Sequence, residues 1–204
     1  FVLPTNVAQA LVVAIALAVG WSLPISATQI LWVNLVTAVT LAIAVAFESP
    51  EPAVMQRPPR PPIEPLVTGP MAWRIAFIGA LICFLSYGAY GLALVRELGE
   101  DFARTAATHT LVCAEVMYLF NCRRFVASGW SVDVFRGNPA LWPVIGVLAL
   151  LQLAFVYAPP FQMLFRTEAL DAFAWIYALV GALAAFAVVE VEKAVLRRMG
   201  RVAL

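Results

Sequence analysis

Charge is what this chain has least of. Only 12% of its 204 residues are Asp, Glu, Lys or Arg, about half the ~25% of an average soluble domain. Thirteen basic and twelve acidic residues leave a net charge of +1, so no electrostatic footprint for nucleic acid is present. Histidine occurs once. The three cysteines, Cys83, Cys113 and Cys122, have no CxxC spacing and no His cluster beside them. That argues against a metal knot or a disulfide framework and for small helix-packing residues. What fills the space is apolar: 63% of the chain is hydrophobic, against ~45–50% in soluble domains. This composition excludes a soluble globular enzyme, a disordered linker and a nucleic-acid binder.

Six mostly apolar stretches are each long enough to cross a ~30 Å hydrocarbon core as a helix. They run over 1–20, 25–47, 71–95, 104–122, 140–158 and 170–189. The expected fold is all-α, a polytopic membrane helical bundle with six transmembrane helices and no room for a soluble catalytic domain. Residues 48–70 are the one long polar stretch and hold 8 of the 14 prolines. Arg57-Pro58-Pro59-Arg60-Pro61-Pro62 favours polyproline II, which makes this segment a stiff connector. The chain opens apolar at Phe1, without Met or a basic leader, which does not fit a signal peptide. It reads as a piece of a longer protein.

Orientation follows from the positive charges. Arg57, Arg60, Arg74, Arg123, Arg124, Arg136, Lys193, Arg197, Arg198 and Arg201 fall on one side of a six-span arrangement, and Arg96, Arg104 and Arg166 on the other. Short basic loops stay in the cytoplasm, so the proline-rich segment and both termini are expected there. Trp21, Trp73, Trp130 and Trp142 sit near span ends, as interfacial aromatics do. Helix contacts should use small residues, and Gly79/Cys83 and Ala174/Ala178/Ala182 have that spacing.

A few polar residues interrupt the spans. Asn6 and Gln9 are three apart on the first span, and Asn34 and Thr37 on the second, so each pair shares a helix face. Thr40 and Gln152 read as ordinary hydrogen-bonding glue between helices. Glu115 is the only carboxylate deep in any span. A charge there costs roughly 2.5–3.5 kcal/mol on insertion scales, so it must face protein and be either neutral or paired with a cation. His109 reads as an interfacial residue near water, and Glu190 and Glu192, beside Lys193, as a solvated ion pair where the last span ends.

The run Leu31-Trp32-Val33-Asn34-Leu35-Val36-Thr37, then Met55-Gln56-Arg57-Pro58-Pro59-Arg60 and Glu64-Pro65-Leu66, resembles the sixth transmembrane helix and following cytoplasmic loop of type II P-type ATPases. These are the cation pumps related to calcium and sodium/potassium ATPases. Thr5-Asn6-Val7-Ala8-Gln9 is similar to the fifth-helix ion motif of that family, and Ala114-Glu115-Val116-Met117 to its eighth-helix site. The resemblance extends over residues 1–204, as family helices five to ten. It implies the membrane part of an ATP-driven pump in the plasma (inner) membrane. In that reading the fourth, fifth, sixth and eighth helices line a mid-membrane site, and Arg57 and Arg60 lie in a loop that couples to the remaining domains of the parent pump. By residue match, Asn6, Gln9, Asn34, Thr37, Ala38 and Glu115 occupy cation-ligand positions. Gln9 stands where a Glu is usual and Ala38 where an Asp is usual, which weakens the case for calcium, a cation that prefers several carboxylates. Nothing in the chain resembles the phosphorylated Asp-Lys-Thr-Gly-Thr loop or a nucleotide-binding domain. The resemblance therefore assigns ATP and Mg to the parent protein, with no cofactor and no ATP hydrolysis in this chain. The partners it implies are the transported cation, the other pump domains and the lipid bilayer. A stand-alone six-helix channel or carrier, or a pump-derived structural or regulatory subunit, are the rival readings.

Overall fold

The computed structural model describes residues 1–48, 67–123 and 138–199, and every regular element among them is a helix. Helix α1 covers Val2–Val19 and stops at Gly20, whose φ of 74° is left-handed and lets its N–H reach the Ala16 carbonyl, a conformation that costs glycine little. Helix α2 (Ala27–Val33) starts at a capping box. The Ser26 side chain accepts from the Gln29 N–H, and the Gln29 side chain accepts from the Ser26 N–H, so two orphan backbone donors are each satisfied by the other residue's side-chain oxygen. A π-helical turn, Asn34–Ala38, separates α2 from α3 (Val39–Ala46). Helix α4 (Gly69–Val95) carries Pro70 in its first turn, where the missing N–H is harmless. Helix α5 (Glu100–Cys122) begins with Glu100 and Asp101, which complement the helix N-terminal dipole.

Helix α6 (Leu141–Tyr157) ends where Ala158 turns extended ahead of Pro159 and Pro160. The chain bends by 75° into the short α7 (Pro159–Phe165), as expected where a proline cannot continue the helix it follows. Trp32 anchors this bend from α2, with ring centroids 5.4, 5.3 and 5.1 Å from Phe155, Phe161 and Phe165. Helix α8 (Ala172–Arg198) starts at Asp171, whose side chain accepts from the Ala174 N–H, and ends with Arg197 and Arg198 in its last turn.

Among the described residues, α1, the α2–α3 rod, α4 and α8 are long and apolar enough to cross a membrane, and α6 with α7 makes a fifth if the bent pair is one span. Helix α5 falls short on apolarity, not on length. The reason is its position. It packs against α4 and α8, contacts α2, α3 and α6, and is buried along nearly its whole length. A helix enclosed by other helices presents little surface to lipid, so it tolerates polar residues that a peripheral span cannot. Helix α1 lies on α4 through Gly79, where a Cβ would come within 2.7 Å of Val7, so the small residue sets the approach. Trp21, Trp73 and Trp142 are exposed at helix ends, whereas Trp130 lies outside the described residues.

The two ends of the bundle differ. At the basic end, Phe1 stacks on Tyr118 with centroids 5.9 Å apart, Arg74 pairs with Glu192 at 3.0 Å, and Arg123 pairs with Glu48 at 2.8 Å. At the opposite end Arg104 donates to the Leu23 carbonyl at 3.1 Å, and Arg96 pairs with Asp171.

Two expectations are corrected here. Helix α8 runs nine residues past Val189, so Glu190 and Lys193 are not at a solvated exit. Both side chains are 2% exposed and joined at 2.6 Å. His109 is likewise not interfacial. It is buried between Gln152, whose Nε2 is 3.2 Å from His109 Nδ1, and the Trp175 ring, 4.1 Å away between centroids.

Candidate functional site

Glu115 sits on α5 about two turns from the basic end (roughly 11 Å at 1.5 Å per residue), and Gln9 sits at a similar distance from the start of α1. Equal depth on adjacent helices lets the two side chains meet. Gln9 Nε2 donates to Glu115 Oε1 at 3.2 Å, and both residues are buried. Glu115 Oε2 is buried with no hydrogen-bond partner. A carboxylate oxygen withdrawn from water and left unmatched is costly, so this atom is open to a cation or a proton.

Thr37, on the π turn, lies beside the same carboxyl. Its hydroxyl donates to the Val33 carbonyl at 2.7 Å, so its one proton is engaged and its lone pairs remain available. The π turn is the feature of this site that no sequence signal announced. Such turns inside α-helices are rare and occur often at functional sites. Here it widens the ladder over Asn34-Leu35-Val36-Thr37-Ala38, the stretch that carries three of the positions singled out by motif, Asn34, Thr37 and Ala38.

Gln9, Thr37 and Glu115 are thus brought together from three helices, α1, the α2–α3 rod and α5. Asn34 is half-buried, and Asn6 is exposed. Asn6 shares the outward stripe of α1 with Leu3, Ala10, Ala14 and Leu17, an apolar face interrupted by one amide. Arg57 and Arg60 lie outside the described residues. No group of three or more His, Cys, Asp or Glu side chains converges among the described residues, so Glu115 is the single acid of this site.

Along α5 toward the opposite end, Thr108 donates to Gln29 Oε1 at 3.3 Å, and Gln29 Nε2 donates to the Phe165 carbonyl at 3.3 Å. Ser86 donates to the Ala107 carbonyl at 3.2 Å. These buried bonds tie helices, as Gln152 does through His109. Sequence reasoning missed a second buried acid, Glu190. Its Oε1 receives Lys193 Nζ at 2.6 Å and Asn121 Nδ2 at 2.8 Å, while Lys193 also reaches the Asn121 carbonyl at 2.8 Å. The one available signal was the three-residue spacing of Glu190 and Lys193, which shares a face only if the helix continues.

The family model described as "Cation transporting ATPase, C-terminus" matches residues 22–195. The chain is 39% identical over 176 residues to the probable cation-transporting ATPase F of Mycobacterium tuberculosis (strain ATCC 25618 / H37Rv), covering 85% of this chain and 19% of that protein. It is 34% identical over 180 residues to a calcium-transporting ATPase of Bacillus subtilis (strain 168), covering 86% and 20%. It is 30% identical over 177 residues to calcium-transporting ATPase type 2C member 2 of Rattus norvegicus, covering 84% and 18%. The chain spans about a fifth of the length of each relative. Multi-pass, all-helical and matched over most of its length, the chain belongs to the cation-transporting ATPase C-terminal family and is a membrane domain of that kind.

Proposed function

We propose that this chain is the ion-conducting part of an ATP-driven cation pump, with Gln9, Thr37 and Glu115 as cation ligands and Asn6 and Asn34 completing the set. The observation that carries the reading is the buried Glu115 carboxyl, bonded to Gln9 through one oxygen and unmatched on the other. Support comes also from the names of the relatives, which are cation- and calcium-transporting ATPases. That company favours a pump over a stand-alone channel, a carrier or a structural subunit. The exposed Asn6 and half-buried Asn34 suit a site closed by a further helix of the parent protein. ATP and Mg act in the parent's other domains, and Arg57 and Arg60 couple those domains to this one.

In this reading the chain crosses the plasma (inner) membrane six times. Helix α5 is one of the crossings, and the basic end is cytoplasmic, in keeping with its arginines. One carboxylate supplies one negative charge. On this chain's ligands alone a monovalent cation or a proton fits better than calcium, which prefers several carboxylates. A carboxylate from the closing helix would shift that balance.

The test is cation-stimulated phosphorylation of the full-length pump, with and without Glu115→Gln. Stimulation that disappears with the substitution is the expected result. Micromolar calcium stimulation that survives it would overturn both the role of Glu115 and the ion argument.

A further inference from the structure

The α2–α3 rod and α5 carry the two halves of the proposed site, Thr37 and Glu115, and side-chain bonds tie them on either side of it. Toward the opposite end the tie is Gln29 with Thr108. Toward the basic end it is a charged clasp. Arg123, the residue that closes α5, donates through Nε to Glu48 Oε2 at 2.8 Å and through Nη2 to Glu48 Oε1 at 3.0 Å. This two-pronged pairing fixes orientation as well as distance. The Arg123 side chain is 5% exposed and that of Glu48 30%, so the pair is shielded from water on the arginine side and reached by it on the carboxylate side.

Asn138 adds the third helix. Its Nδ2 donates to Glu48 Oε2 at 3.0 Å and to the Ala44 carbonyl at 2.7 Å. That carbonyl is among the last of α3, which have no partner within the helix. Its Oδ1 accepts from the Ala140 N–H at 3.0 Å, at the start of α6. The ends of α3, α5 and α6 therefore meet at three side chains. Glu115 is about 12 Å along α5 from Arg123, and Thr37 about 16 Å along the rod from Glu48.

We infer that Glu48, Arg123 and Asn138 form a latch that holds Thr37 and Glu115 at the spacing a bound cation requires. They are positioning residues, since none touches the cation. The π turn lies between the two ties, in the part of the rod whose ladder is already loosened, so a change of spacing at the latch is absorbed there. The inference rests on the cation-site reading above.

The experiment uses the full-length pump in vesicles, with ATP turnover titrated against calcium and, separately, sodium. Arg123→Ala and Glu48→Gln are each expected to raise the half-saturating concentration of the stimulating cation about tenfold, within the 5–150-fold span of typical couplings. Turnover at saturating cation should fall by less than about twofold, well below that span. Arg123→Lys, which keeps the charge and loses the fork, should fall between. The exchanged pair Glu48→Arg with Arg123→Glu should recover part of the affinity. If Arg123→Ala does not fold, Arg123→Lys and Asn138→Ala give the same reading. A purely structural role would lower the amount of active pump at an unchanged half-saturating concentration, and that outcome overturns the latch. Glu115→Gln runs in parallel. A cation response that survives it overturns the site reading, whereas loss of the response with no shift in the Arg123 variants overturns the latch alone.

Discussion

Glu190 and Glu115 are both buried carboxylates, on α8 and α5, yet their surroundings are opposite. Glu190 meets an ammonium group at 2.6 Å and an amide at 2.8 Å. Glu115 meets one amide at 3.2 Å and leaves an oxygen unmatched. A buried charge matched by a counter-charge and hydrogen bonds holds helices in register. A buried acid whose neighbours, Gln9 and Thr37, are neutral has no counter-charge of its own, and that is the property on which the proposed cation site rests. Pairing, not burial, distinguishes the two acids, because burial is nearly equal, at 3% exposure for Glu190 and 1% for Glu115.

The largest effect should come from breaking the matched acid. Lys193→Met takes from Glu190 its ammonium partner at 2.6 Å, and removing one partner of a buried pair costs about 3–5 kcal/mol. Thermal unfolding of the purified protein should show a marked fall in midpoint. The double substitution Lys193→Met with Glu190→Gln should recover most of it. A single variant as stable as the parent would mean that the pair is not buried as described.

Giving Glu115 a like-charged neighbour sharpens the contrast. Gln9→Glu places two carboxylates side by side, a pairing that suits a divalent cation. Calcium should gain on sodium by about tenfold in stimulating turnover, roughly 1.4 kcal/mol. Competition titrations would read the ratio, and an unchanged ratio counts against Gln9 as a ligand.

The smallest effect belongs to an exposed acid. Asp171 caps α8 and pairs with Arg96, whose hydrogen bond holds the carboxyl below the usual carboxylate range. Because the folded value is depressed, the stabilisation is complete above the unfolded value of about 3.9. It fades as pH falls through the folded value. Asp171→Ala should cost about 1 kcal/mol at neutral pH, and the difference from the parent should shrink in acid. A difference that stays constant down to low pH would contradict the pairing.

Much of this molecule is legible in the sequence because lipid imposes a simple rule. The apolar runs mark α1, the α2–α3 rod, α4 and α6 within a few residues, and the cost of a lone carboxylate singles out Glu115. The family motifs point to Gln9 and Thr37, which the fold brings to it. The rest depends on tertiary contacts that leave no linear trace. The length of α8 beyond Val189 is supported by Asn121 on α5, and His109 is buried because α6 supplies Gln152. The π turn shifts a hydrogen-bond ladder without any residue type that demands it. Asn6 and Gln9 share a face by spacing, yet only Gln9 faces the bundle, since three residues turn a helix by roughly 300° and not a full circle. Glu48 and Arg123 are far apart in sequence and unremarkable as single charges.

The most direct measurement is equilibrium cation binding to the full-length pump, at matched protein amounts, in the parent, in Glu115→Gln and in the Lys193→Met, Glu190→Gln pair. Stoichiometric binding should be lost in Glu115→Gln and kept in the α8 pair. Binding that persists without the Glu115 charge, or disappears with the α8 pair in a folded protein, would contradict the division of roles between the two acids.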